Sequence, residues 1–189
     1  MMRYLKRNKI LFFLLFFTII SILMGIFFYA NLDHESREVV ASNLQLLLKG
    51  ENISSFSFFL NRFLSNSLIW ILGVSIIGVI IVVPLYFFSV FLFSFEFSSM
   101  VSILGFSKIF SIFLYFLPTI LSIFCTFLLC FYSLCFSSYL FRFLFLHKNY
   151  SFSAIMRRYI KIYFLSLLGL LVSGILESLI LSNLGKLFF

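Results

Sequence analysis

Charge is what this sequence has least of. Asp, Glu, Lys and Arg make up 11% of its 189 residues, where a typical soluble domain carries about 25%. That is too little polar material to cover a surface facing water, so the solvent of this chain must be lipid. Proline is nearly absent, with only Pro84 and Pro118, so each marks a place where a helix can bend or stop. No Gly-rich phosphate loop, GxSxG or HExxH is present, and nothing reads as catalytic. Cysteine is scarce too. Cys125, Cys130 and Cys135 fall roughly 140° apart on a helix, whereas zinc sites want ligands two to four residues apart. They read as small apolar filler. Asp33-His34-Glu35 resembles a ligand set on paper, but adjacent residues do not share a helical face, so it reads as a solvated loop start. No metal and no cofactor is expected.

What is present is apolar: 63% of the chain, with 31 Phe. An all-α, polytopic membrane protein follows. The +8 net charge does not point to nucleic acid, because its placement has another explanation and no groove-entering motif accompanies it. Arg3, Lys6, Arg7 and Lys9 precede the first apolar run without an acid, and Arg142, Lys148, Arg157, Arg158 and Lys161 cluster near the other end. Between Asn31 and Asn66, three bases meet four acids, Asp33, Glu35, Glu38 and Glu51. Basic residues gather on the cytoplasmic side. The N-terminus and residues 142–161 are therefore expected inside, and residues 31–66 outside.

Counting then sets the topology. A spanning helix needs about 20 apolar residues; residues 10–30 supply one and 162–182 another. The 75 residues from Ser67 to Phe141 carry only Glu96 and Lys108 as charges. They must hold an odd number of spans, and a single helix of that length would measure roughly 110 Å. Three spans fit, at 67–87, 88–107 and 109–141, with a first break near Leu85–Ser89 after Pro84 and a second at Gly105–Lys108. Residues 109–118 either cross the membrane or lie along it. Five spans result, the N-terminus cytoplasmic and the C-terminus extracytoplasmic. A signal peptide is the rival for the first span, but its 21 apolar residues and Phe28 before Ala30 favour an uncleaved anchor.

Residues 31–66 read as two short amphipathic helices, the first capped by Asp33 or Ser36. Phe56, Phe59, Leu60, Phe63 and Leu64 form the apolar face of the second, opposite Asn61, Arg62 and Asn66. It is expected to lie in the membrane interface or to cover the span tops. Two carboxylates stand within apolar runs, where an ionisable group is functional by default. Glu96 reads as a structural or partner contact, an interfacial residue or a transport residue. Glu177 is near enough to the outer end of the last span to snorkel. Ser98/Ser102, Ser133/Ser137, Gly169/Ser173 and Gly174/Ser178 are small-residue pairs that let helices approach. Asn52-Ile-Ser54 and Asn149-Tyr-Ser151 fit a glycosylation pattern that is common by chance.

The run WILGVSIIG, Trp70 to Gly78, with Asn66 upstream, resembles the signature stretch of the stage II sporulation protein M family. The Leu117-Pro118 pair and Glu177 in ESLILSNL are similar to later parts of that family's pattern. The likeness marks Asn66, Trp70, Gly73, Ser75, Gly78, Pro118 and Glu177 as structural or partner-contact positions. Two departures stand out: Ser89-Val90 where the family tends to have Lys-Gly, and Thr119 where it tends to have Gln or Glu. The resemblance implies a membrane protein of the septal or engulfing membrane. It would act with stage II sporulation proteins D and P, which cut peptidoglycan, as a non-catalytic scaffold during engulfment. The alternative is the permease subunit of an ATP-driven exporter, docking its ATPase on the basic 142–161 loop. Glu96→Gln separates the two: a scaffold retains function in complementation, whereas a transporter that uses this carboxylate loses it.

Overall fold

A computed structural model describes residues 2–48, 55–75, 78–145 and 152–182. They form six α-helices: α1 Met2–Ala30, α2 His34–Leu48, α3 Ser55–Gly73, α4 Gly78–Leu104, α5 Ile109–Phe145 and α6 Phe152–Ser182, with a 3-10 turn at Phe106–Lys108 and no strand among the described residues. Four stretches are long and apolar enough to cross a membrane: Lys9–Ala30, Ile80–Leu104, Phe106–Phe141 and Ser153–Ile180. Lipid offers a polar group no hydrogen-bond partner. Some hydroxyls in these helices bond locally, Thr18 donating to the Leu14 carbonyl, Ser98 to Ser94 and Thr126 to Ser122.

The central break falls earlier than the prolines suggest. α4 begins at Gly78 and runs through Pro84, so no break occurs at Leu85–Ser89, and the spans drawn at 67–87 and 88–107 do not correspond to helices. The chain turns after Gly73 instead. The Val74 and Ser75 amides donate to the Ile71 and Leu72 carbonyls, and the Ser75 hydroxyl also donates to Leu72 at 3.0 Å. Pro84 is exposed on the helix surface, and membrane helices accommodate the missing hydrogen bond. At the other end of α4, Gly105 adopts φ 79°, a conformation glycine takes without strain. α5 also continues unbroken through Pro118.

Side-chain pairs set the helix directions. α1 and α4 run parallel: Thr18 meets Tyr86 at 2.8 Å, Ser21 the Phe87 carbonyl at 2.6 Å, and Ser94 the Ile22 carbonyl at 3.0 Å. α5 and α6 run antiparallel, with Ser133 at Tyr159 and the Pro118 carbonyl at Ser173. α3 lies antiparallel to α6 and parallel to α5, placing Arg62 at Thr119 and Glu177, and Trp70 at Tyr159. The start of α1 and the end of α5 lie at one end of the bundle, where Lys9, Phe13, Ser137 and Phe141 line a shared groove. At the opposite end α2 packs Leu44 near Met100, Ile112 and Phe116.

The bundle sets small polar residues into its apolar core and exposes large apolar ones. Ser21, Ser94, Ser99, Ser122, Ser133 and Ser173 are buried, while Phe12, Phe16, Leu23, Phe27, Leu168 and Leu171 are exposed. Small inward residues allow backbones to approach, and large apolar ones meet lipid. Gly25 shows the constraint. A Cβ there would overlap the Ser94 hydroxyl and lie 2.6 Å from the Phe91 carbonyl. Gly25→Ala should therefore part α1 from α4 and cost about 1–3 kcal/mol, read as an earlier midpoint in detergent unfolding.

The start of α2 is expected to titrate. The Ser36 hydroxyl, bonding the Asp33 carboxylate, holds that carboxyl below its usual pKa. The charged form favours folding, so its contribution is present above the ordinary carboxylate range and disappears as pH falls through the lowered value. Hydrogen exchange at the first turn of α2 should accelerate on that acid side, and Asp33→Ala should abolish the step.

Candidate functional site

Arg62, Asn66, Trp70 and Gly73 recur at intervals of four, four and three, which puts them on one face of α3. The structure turns this face inward. Leu60, Leu64, Leu68 and Ile71 are exposed on the other side. The stretch 56–66 is therefore not a separate helix lying in the interface or capping the spans. It is continuous with the WILG segment, and its polar face, expected to meet water, meets α5 and α6. In lipid the amphipathic logic reverses, because the polar side chains must find protein partners.

At the α2 end of this face lies a charged cluster. The Arg62 guanidinium meets the Glu177 carboxylate at 2.8 Å, with the side chains 22% and 15% exposed. It also donates to the Thr119 hydroxyl at 3.0 Å and reaches Ser173 at 3.5 Å. Ser173 in turn donates to the Pro118 carbonyl at 2.7 Å. The Asn66 amide donates to the Arg62 carbonyl at 3.0 Å. One guanidinium thus joins α3, α5 and α6. Glu177, placed by its sequence position where it could snorkel, is instead ion-paired. Glu96 on α4 is surface-accessible.

At the other end an aromatic stack closes the face. Trp70 lies on Tyr163 with centroids 4.5 Å apart and near Tyr159 at 6.0 Å, and Tyr159 stacks on Phe136 at 4.8 Å. The Tyr159 hydroxyl is 2.8 Å from the Trp70 carbonyl and 2.8 Å from the Ser133 hydroxyl. Tyr163 and Ser67 pair at 3.0 Å. Gly73 is the residue that lets this happen: a Cβ there would overlap both the Tyr159 and the Ser133 hydroxyls. Gly169 plays the same part against the Cys125 sulfur.

The structure thus brings Asn66, Trp70, Gly73, Pro118 and Glu177 onto one seam between α3, α5 and α6. Ser75 lies just past the end of α3 and Gly78 opens α4. Arg62 and Thr119 were not singled out as site residues from the sequence; the four-residue step from Arg62 to Asn66 was the available signal. Elsewhere, His34 pairs with Glu38 at 3.3 Å, and the three cysteines form no disulfide. Among the described residues no group of three His, Cys, Asp or Glu could hold a metal. Asn52 and Asn149 lie outside the described residues, as does Lys148. The seam's hydroxyls, ion pair and rings are engaged with one another, which suits holding helices in register.

A family model described as stage II sporulation protein M matches residues 13–180. No curated protein and no solved structure matches the chain. Nothing in these comparisons supports the exporter reading.

Breaking a buried pair by removing one partner typically costs about 3–5 kcal/mol, whereas replacing both by apolar residues is often nearly neutral. Glu177→Gln, which keeps the shape and strands the Arg62 charge, should therefore shift unfolding by about 3 kcal/mol at most, because both side chains keep some exposure. The Arg62→Met/Glu177→Met double variant should lie closer to the parent. Equal losses in single and double variants, measured in detergent titrations, would contradict the pairing.

Proposed function

The chain belongs to the stage II sporulation protein M family, a sporulation-related, multi-pass membrane protein by that membership, and from this premise we propose that it is a non-catalytic scaffold that localises peptidoglycan-cutting proteins during engulfment. The observation that carries the reading is the division of labour in the bundle. Arg62, Glu177, Thr119 and Tyr159 make polar contacts between α3, α5 and α6, while many Phe, Leu and Ile side chains are exposed on the exterior. Such an exterior offers contact area to the membrane anchors of other proteins. Stage II sporulation proteins D and P are the partners implied, in the septal or engulfing membrane.

The same proposal includes five crossings. α3 has 19 residues, about 28 Å of helix, close to the ~30 Å hydrocarbon core. It runs antiparallel to α6 along the bundle, and Arg62 is its only charge. With α1, α4 and α6 pointing one way and α3 and α5 the other, the basic N-terminus and the basic 142–161 segment share the cytoplasmic side.

In-cell crosslinking of a tagged copy during engulfment, with mass spectrometry of the captured proteins, tests the scaffold. Recovery of peptidoglycan-cutting membrane proteins is the expected result; recovery of an ATPase without wall enzymes would overturn it. Topology is tested separately. In a chain with Cys125, Cys130 and Cys135 replaced, Ser36→Cys should react with an impermeant maleimide in intact cells, and Arg157→Cys only after lysis.

A further inference from the structure

We infer that the α3–α6 interface holds a bound water shared by Asn66, Trp70 and Ser166, an internal hydration site in the part of the bundle that faces lipid. This goes beyond the scaffold reading and does not rest on it.

Three polar atoms carry the argument. Asn66 Oδ1, Trp70 Nε1 and Ser166 Oγ are buried and have no hydrogen-bond partner within the protein. Asn66 is 2% exposed and Ser166 4%. Lipid supplies neither donors nor acceptors, so these atoms cannot be satisfied from outside as the rim of a soluble protein would be. Buried polar groups are seldom left unpaired, and internal waters commonly complete them.

Their placement brings them together. Asn66 and Trp70 are one turn apart on α3, and Ser166 lies one turn beyond Tyr163 on α6. The register between the two helices is fixed at both ends, by Arg62 at Glu177 and Ser173, and by Ser67 and Trp70 at Tyr163. Asn66 and Ser166 fall at the level between those anchors. α5 contributes Ser122 and Thr126 nearby in the chain to Thr119, both buried, with the Thr126 hydroxyl already given to the Ser122 carbonyl.

The donor set also suits water. Trp70 Nε1 can only donate, Asn66 Oδ1 can only accept, and Ser166 can do either. A single water accepts from the indole, donates to the amide oxygen and completes its third bond with the hydroxyl. Three partners are the usual number for an internal water.

Trp70 is the only tryptophan in the chain, which makes the site directly readable. Ultraviolet resonance Raman spectra of the full chain in lipid nanodiscs report whether the indole N–H is hydrogen-bonded. The expected result is a hydrogen-bonded band that converts to N–D within minutes in heavy water. Ser166→Ala and Asn66→Leu should each shift that band toward the free-indole position. A band already at the free position would overturn the inference. So would a hydrogen-bonded band that Ser166→Ala leaves unchanged and only Asn66→Leu removes, since that describes a direct Asn66–Trp70 bond. Ser166→Ala deletes one hydroxyl oxygen, so it decides the matter if Asn66→Leu does not fold.

Discussion

The pairing of Arg62, the one charged residue of α3, organises three helices. Meeting Glu177 and Thr119 fixes the rotation of α3 against α5 and α6. Once that face is inward, Asn66, Trp70 and Gly73 must be inward as well, because they share its period. Trp70 then lands on Tyr163, and Gly73 on Tyr159 and Ser133. The charged contact and the glycine contact, separated by three helical turns, are two ends of one constraint.

The rest of the bundle is built from weaker parts. α1 joins α4 through single hydroxyls given to carbonyls and through the close approach at Gly25. Interhelical hydrogen bonds of this kind contribute only about 0.6–2 kcal/mol each in membranes. Two regions of different character result: an α3–α5–α6 unit locked by charge and aromatic stacking, and an α1–α4 pair held by small residues. The large exposed side chains of α1, among them Phe12, Phe16 and Phe27, take no part in either.

Much of this was legible in the sequence. Membrane class and the helices of α1 and α6 came from apolar run length, and the resemblance drew attention to Asn66, Trp70, Gly73 and Glu177, which the folded chain places on one seam. The break near Pro84 did not occur, because proline on an exposed helix face in lipid is a weaker stop than Gly73 followed by Ser75. The role of Arg62 was hidden by a rule suited to water, which sends the charged face of an amphipathic helix outward. Glu177 carried no sequence clue to its partner, since the pair is separated by 115 positions. Thr119 shows the same limit: a departure from the family pattern on paper, it accepts a hydrogen bond from the guanidinium in the folded chain.

That separation has a consequence for how the molecule is made. The ribosome synthesises Arg62 well before Glu177, and at about 5–20 residues per second the interval is roughly 6–23 seconds. During that time α3 has a guanidinium and no carboxylate from α6 to receive it. The seam of α3 against α5 and α6 can therefore close only after Glu177 has been made.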